Sequence, residues 1–323
     1  MSQAQFISNF SADALAVAGA QLKAGHLVAF PTETVYGLGA DATNSHAVAR
    51  IYEVKGRPTD HPLIIHIASM DRMGEWASNV PEYAITLARK FWPGPMTLVL
   101  RRSEIAADFV TGGQDTVGVR VPNHVVALGL LQAFEKIGGI GIAAPSANRF
   151  GHVSPTSALA VVEELDQFLS ADDQVLDGGL CSVGVESTII DCTGNVPKVL
   201  RPGAVSALMI EESTGLKITE SDFRIRVSGS LENHYSPTAK VLLHETPVQG
   251  QGFIASASIQ TPPGVIRLAS PESDEEFAQI LYSALRQGDA QGLSEVVVVP
   301  PTGIGLAVAI RDRLTKAARK KTY

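Results

Sequence analysis

The chain reads as an α/β protein in two parts, with a small parallel α/β domain at its C-terminal end. Three observations lead there. Short apolar runs that read as buried strands alternate with segments whose apolar residues recur at helical spacing. In the first 200 residues, strand ends repeatedly open into loops of proline, glycine, serine and threonine with single cations, the place where α/β folds put ligands. Residues 211–239 are polar, rich in Ser, Thr and Glu and without periodicity, which marks a linker or a functional loop. The expected division is a first domain at 1–210, a linker or lid at 211–239 and a second domain at 240–323.

Ser11 can cap a helix in which Leu15, Ala18 and Leu22 recur, and Gly25 ends it. LVAF at 27–30 is a buried strand, with PTETVYGLGAD as the loop at its end. Asn44 or Ser45 starts a helix through Val48, Ile51 and Tyr52 that delivers the chain to Lys55. LIIHI at 63–67 is a core strand, in which His66 faces away from Ile65 and Ile67. Helical stretches near 71–77 and 82–91 precede WPGPM, which breaks the pattern, and a strand at 96–102. TVGVRVP at 116–122 alternates, so Val117, Val119 and Val121 share one face. Thr116, Gly118 and Arg120 share the other, and Arg120 is expected to be displayed rather than buried. A helix near 124–135 leads to the strand IGIAA at 140–144 and the loop PSANRFGHVSPTS, where Pro155 and Thr156 can open the next helix. Strands are expected near 174–177, 188–192 and 198–201. Past the linker, KVLL, FIAS, GVIRL and EVVVVP read as strands, with one amphipathic helix carrying Phe277, Leu281 and Leu285 and another closing the domain.

The whole-chain balance narrows the function. A net charge of −7 argues against a general nucleic-acid coat protein, although a local basic groove would be compatible with it. The basic residues after Arg311 suit the last turns of a helix. The two cysteines, Cys181 and Cys192, form no CxxC pair, so neither a disulfide framework nor a zinc site is expected. The N-terminal stretch lacks the pattern of a signal peptide, and no apolar run reaches a membrane span. The expectation is a cytoplasmic protein without a membrane partner.

KGRPTDHPL at 55–63 carries the most chemistry. Lys55 and Arg57 flank a glycine, so both heads can converge on one ligand. Pro58 and Pro62 stiffen the loop and keep Arg57 and His61 out of helix. An arginine fork and a lysine point charge feeding a core strand describe an anion site. No P-loop, GxGxxG turn, GxSxG elbow or HExxH helix occurs. Cations and hydroxyls without an evident nucleophile or metal cage fit electrostatic catalysis on a nucleotide.

These motifs, taken in order, resemble the YrdC-like threonylcarbamoyl-AMP synthases. The resemblance rests on PTETVYGLG (31–39), KGRPTDHPL, FWPGPMTLVL (91–100), VGVRVP (117–122), APSAN (144–148), GVESTI (184–189) and LRPG (200–203). HYSP at 234–237, with Ser236 where alanine is expected, resembles the two-domain form. The likeness implies a YrdC-like twisted mixed sheet with a concave cavity and a small Rossmann-like C-terminal domain. It implies a nucleotidyltransferase that makes threonylcarbamoyl-AMP from L-threonine, bicarbonate or CO2 and ATP, with magnesium on the nucleotide. The product would pass to a tRNA threonylcarbamoyl transferase complex, with weak RNA binding as an accessory contact.

Residue by residue, the likeness gives Lys55 and Arg57 the ATP phosphates and the catalytic role. Ser146, Asn148, Ser154, Thr116 and Arg201 would also meet the nucleotide, with His61 beside it and Tyr235 closing over it as part of a lid. Threonine would lie against Thr34, His66, Arg120, Ser187 and the backbone of Ala144, with Arg120 pairing its carboxylate. Two other functions stay open: an RNA-binding protein on this fold, and another carbamoyl or nucleotidyl transferase. Base stacking needs clustered aromatics, and only 6% of the residues are aromatic, scattered along the chain.

Overall fold

The computed structural model describes residues 4–7, 11–219, 225–229 and 235–319. Among them the larger sheet is built from β1 (Gln5–Ile7), β2 (Val28–Phe30), β3 (Gly37–Asp41), β4 (Ile64–His66), β5 (Ala77–Ser78) and β6 (Met96–Arg102). It continues with β7 (Thr116–Arg120), β8 (Ile142–Ala143), β9 (Gln174–Leu176), β10 (Thr188–Asp191) and β11 (Lys198–Arg201). The order is β1-β9-β2-β3-β8-β4-β7-β6-β10-β11, with β5 on β6. Parallel pairs (β4 with β7, β6 with β10) alternate with antiparallel ones (β3 with β8, β6 with β7), so the sheet is mixed.

The local signals act as expected. The Ser11 side chain accepts from the Ala14 amide, and Gly25 closes the helix Ala12–Ala24 in the left-handed region at φ 94°. Asn44 caps Ser45–Lys55 by accepting from the His46 and Ala47 amides. That helix stops at Gly56, whose φ of 61° suits glycine, so the chain reverses between Lys55 and Arg57.

Three expectations change. GLGAD is not the end of a loop but the strand β3, which turns back antiparallel on β2. A Cβ on Gly39 would stand 2.8 Å from both Ile142 and Phe30, so glycine makes room for side chains of the two flanking strands, and its chain freedom does not signal a turn. The strand expected at 140–144 shortens to Ile142–Ala143. A helix, Ala207–Thr214, capped by Ser206, takes in the first residues assigned to the linker. Of that linker, residues 220–224 and 230–234, including His234 of the HYSP motif, lie outside the described residues. So do Lys320 and Lys321 of the basic end.

The C-terminal sheet comprises β12 (Lys240–Leu243), β13 (Gly252–Ile254), β14 (Ile266–Ala269) and β15 (Glu295–Val298), all parallel, in the order β12-β15-β13-β14. Its helices are Asp274–Ala290 and Leu306–Ala318. The order is the expected one: three strands in succession joined by loops without a helix, then a helix, a strand and a closing helix. Val241, Ile254, Phe277, Leu281, Leu285, Val296 and Leu314 fill its core. Polar contacts seal it to the first domain. Arg286 pairs with Glu164 at 3.2 Å and donates to the Val153 carbonyl, while Asp289 ties down the end of the linker by accepting from the Thr238 and Ala239 amides at 2.8 Å. Among the described residues no helix is long and apolar enough to cross a membrane.

Candidate active site

A cavity opens where the ends of β4, β7, β10 and β11 meet the loops after β2 and β8. Register sets its floor: His66 lies beside Arg120 in the parallel pair β4–β7, and Ile64 beside Gly118. The PTET loop brings Thr32, Thr34 and Val35, the PSAN loop brings Ala144, Pro145 and Ser146, and the VEST segment brings Glu186 and Ser187. Arg57, Arg201 and Tyr235 complete the wall. The free volume is about 40 Å³, far below the ~300 Å³ or more that a drug-sized ligand takes up.

Three guanidiniums reach this cavity. Arg120 is buried, not displayed. It forms an ion pair with Glu33 at 2.7 Å and donates to the Thr34 hydroxyl at 3.0 Å and the Gly94 carbonyl at 3.3 Å. Arg201 donates to the Ser187 carbonyl and hydroxyl and, at 2.9 Å, to the Ser228 carbonyl. Arg57 donates to the Pro62 carbonyl and the Ser228 hydroxyl, and its buried Nε has no partner among the described residues. Burial pulls the Arg57 guanidinium down to about 10 and lowers that of Arg201 too. No carboxylate among the described residues forms an ion pair with either. Two cations without an ion-pair partner beside a third that has one make an anion site with two distinct ends.

His66 stands at the Arg120 end. Burial, then the Arg120 charge, pulls its imidazole down to about 3, so the ring is neutral at physiological pH. Its Nδ1 is buried without a partner among the described residues, and the ring meets Phe30 edge-on at 5.8 Å.

Other expected residues stand behind the wall or at its edge. The Lys55 ammonium is buried and donates to the Ser146 carbonyl at 2.6 Å and to that of Asn148, so it ties down the PSAN loop and does not face the cavity. Burial, then Arg57, holds its pKa well below the usual lysine value. The Asn148 amide donates to the Arg149 and His152 carbonyls, closing the same loop. Ser154 is buried and donates to Glu186 at 2.6 Å. His61 packs edge-on against Phe150 at 5.3 Å, outside the lining. Thr116 lines a neighbouring notch with Gln114 and Val227.

Sequence reasoning missed Glu33, Glu186 and the linker residues Val227 and Ser228. Glu33 and Glu186 sit inside motifs already singled out, and a buried acid beside a required arginine was the available signal. Residues 225–229 of the linker lie along the cavity as a strap. The Gln114 amide bonds both the N–H and the C=O of Arg226, Val227 is buried with Val99 and Ile189, and Ser228 meets Arg57 and Arg201.

Similarity to known proteins agrees with this geometry. The family described as "Telomere recombination" matches residues 20–203, and that described as "Threonylcarbamoyl-AMP synthase, C-terminal domain" matches residues 205–319. A Pyrococcus abyssi protein named threonylcarbamoyl-AMP synthase is 41% identical, over 94% of this chain and 93% of its own. A Bacillus subtilis protein of the same name is 38% identical, over 94% and 92%. The crystal structure of P. abyssi Sua5 complexed with L-threonine superposes with a TM-score of 0.87 at 38% identity, covering 98% of this chain and 97% of that one. This chain belongs to the threonylcarbamoyl-AMP synthase family.

Proposed function

We propose that the chain joins L-threonine, bicarbonate or CO2 and ATP into threonylcarbamoyl-AMP and pyrophosphate, in the cytoplasm. One observation carries the reading: a single cavity presents Arg57 and Arg201 without carboxylate partners at one end and the Arg120–Thr34–His66 group at the other. The first end suits a triphosphate and the second an amino-acid carboxylate and hydroxyl. The relative whose crystal structure carries L-threonine supports the same assignment.

In this scheme Arg120 takes the threonine carboxylate. Thr34, Ser187, the neutral His66 and the Ala144 backbone orient the hydroxyl and amine. The amine attacks CO2 and releases a proton, or attacks bicarbonate, whose hydroxide leaves as water with the amine proton; either route gives a carbamate. A carbamate oxygen then bonds to the α-phosphorus while the α–β bridging P–O bond breaks and pyrophosphate leaves with the electron pair. Arg57 and Arg201 stabilise the charge that builds on the phosphates. Ser146 and Tyr235 border the nucleotide, while Lys55, Asn148 and Ser154 fix the segments that carry the contacts. Magnesium would enter on the ATP phosphates as part of the substrate. The strap over the cavity would exclude water from a labile product. Transfer of the threonylcarbamoyl group to tRNA falls to a partner complex.

Pyrophosphate release from ATP and bicarbonate, measured with and without L-threonine, tests the reading. Threonine-dependent release that Arg57→Ala abolishes is expected. ATP binding without threonine-dependent release would overturn it.

A further inference from the structure

The wall of the cavity is completed from the C-terminal domain. Glu186, a cavity residue of the first domain, directs its carboxylate outward into that domain. Its Oε2 accepts from Arg313 Nε at 2.7 Å and from the Tyr282 hydroxyl at 2.9 Å, and its Oε1 accepts from Ser154 at 2.6 Å. Arg313 is fully buried and also donates to the Pro202 carbonyl at 3.0 Å, next to Arg201. The guanidinium lies 5.2 Å from the centre of the Tyr235 ring, which stacks on Tyr282 at 5.8 Å. Tyr235 has φ 63°, a conformation bulky residues rarely adopt, so packing on both faces must hold it there.

Stability alone does not account for this arrangement. A buried ion pair between domains often adds less than well-packed apolar residues would. The charges are balanced: Glu186 and Asp312 carry the negative charges, Arg313 and Lys316 the positive ones, with Arg313 to Asp312 at 2.6 Å and Lys316 to Asp312 at 3.0 Å. Without Arg313 the set loses a positive charge, and Glu186, which lines the cavity, keeps only the Ser154 and Tyr282 hydroxyls as partners.

We propose that Arg313 and Tyr282 are positioning residues of the nucleotide site, clamping Glu186 and Tyr235 into its wall, and that Arg313 cancels a charge that would otherwise oppose the triphosphate. The C-terminal domain thereby supplies part of the ATP site. The assignment of ATP to this end rests on the function proposed above.

The test uses the full chain carrying Arg313→Met, Glu186→Gln with Arg313→Met, or Tyr282→Phe. ATP affinity is measured by calorimetry, the threonine KM by pyrophosphate release, and folding by thermal melts. Arg313→Met is expected to weaken ATP binding by about tenfold, as an uncompensated buried charge near the phosphates would, and to leave the threonine KM nearly unchanged. The double substitution removes both charges and is expected to restore most of the ATP affinity. If Arg313→Met alone does not fold, Tyr282→Phe, which removes one donor to Glu186, carries the test, and an ATP affinity equal to that of the wild type would overturn the proposal. Tyr282→Phe keeps the stacked ring and is expected to cost less. A folded Arg313→Met protein with wild-type ATP affinity would overturn the proposal, as would a folded double variant that binds ATP no better than the single one. If the wild type releases no pyrophosphate with threonine, the synthase reading fails, and the calorimetric comparison still decides the charge argument.

Discussion

Lys55 offers a sharp contrast between a ligand role and a structural one, and Lys55→Met separates them. The substitution keeps the aliphatic length and removes the ammonium. In the structure that ammonium is buried and saturates the Ser146 and Asn148 carbonyls. Each carbonyl left buried without a donor costs about 1–3 kcal/mol. Relief of the desolvation of a buried ammonium offsets part of this. A net loss of about 2–4 kcal/mol follows, or about 5–10 °C in Tm for a folding unit of this size. Thermal and urea unfolding measure the loss, and calorimetry with ATP measures affinity in the same samples. The PSAN loop would also loosen, so affinity falls together with stability. A variant that melts like the wild type while losing ATP binding would refute the argument and make Lys55 a direct phosphate ligand.

Further outcomes follow from the geometry. Arg120→Lys cannot keep contacts to Glu33, Thr34 and Gly94 at once, so threonine affinity should fall about tenfold or more in calorimetry while ATP affinity is retained. Gly39→Ala forces a Cβ against Ile142 and Phe30 and should cost about 1–3 kcal/mol in chemical denaturation. Acid should destabilise the fold in two stages. His66 is held at about 3 against 6.5 when unfolded, so its contribution is complete above 6.5 and is lost as pH falls toward 3. Burial would raise the Glu186 carboxyl, but Arg313 and Arg201 hold it at about 2, so its contribution is complete above 4.5 and is lost toward 2. His66→Gln should flatten Tm between pH 6.5 and 4.5 and leave the lower stage. Gln114→Ala frees the Arg226 backbone and should speed ATP association in stopped-flow mixing; an unchanged rate would show that the strap does not limit entry.

Caps, periodicity and strand alternation made most of the fold legible, because each is a local signal. Ser11, Gly25 and Asn44 act at the ends they mark. β3 was hidden because its glycines answer to Phe30 and Ile142, neither adjacent in sequence. The cavity was legible as a set of loops, and much of its lining follows from the motifs. Side-chain direction was not legible: Lys55 and Arg57 stand two residues apart, yet Gly56 sends one behind the wall and the other into the cavity. Arg120 looked displayed because its strand face is small, and Glu33 buries it. The partnership of Glu186 with Arg313 spans 127 residues, beyond the reach of local pattern.

Ser228 rests on the same two guanidiniums proposed to take the phosphates. Nucleotide entry is therefore an exchange, not the filling of a vacancy. The dissociation constant measured for ATP would be the intrinsic one divided by the fraction of molecules whose strap is lifted. A strap lifted in about a tenth of the molecules would weaken apparent binding about tenfold without altering a single contact to the nucleotide. Sequence changes in the strap could tune the ATP concentration at which the protein works while the cavity stays the same.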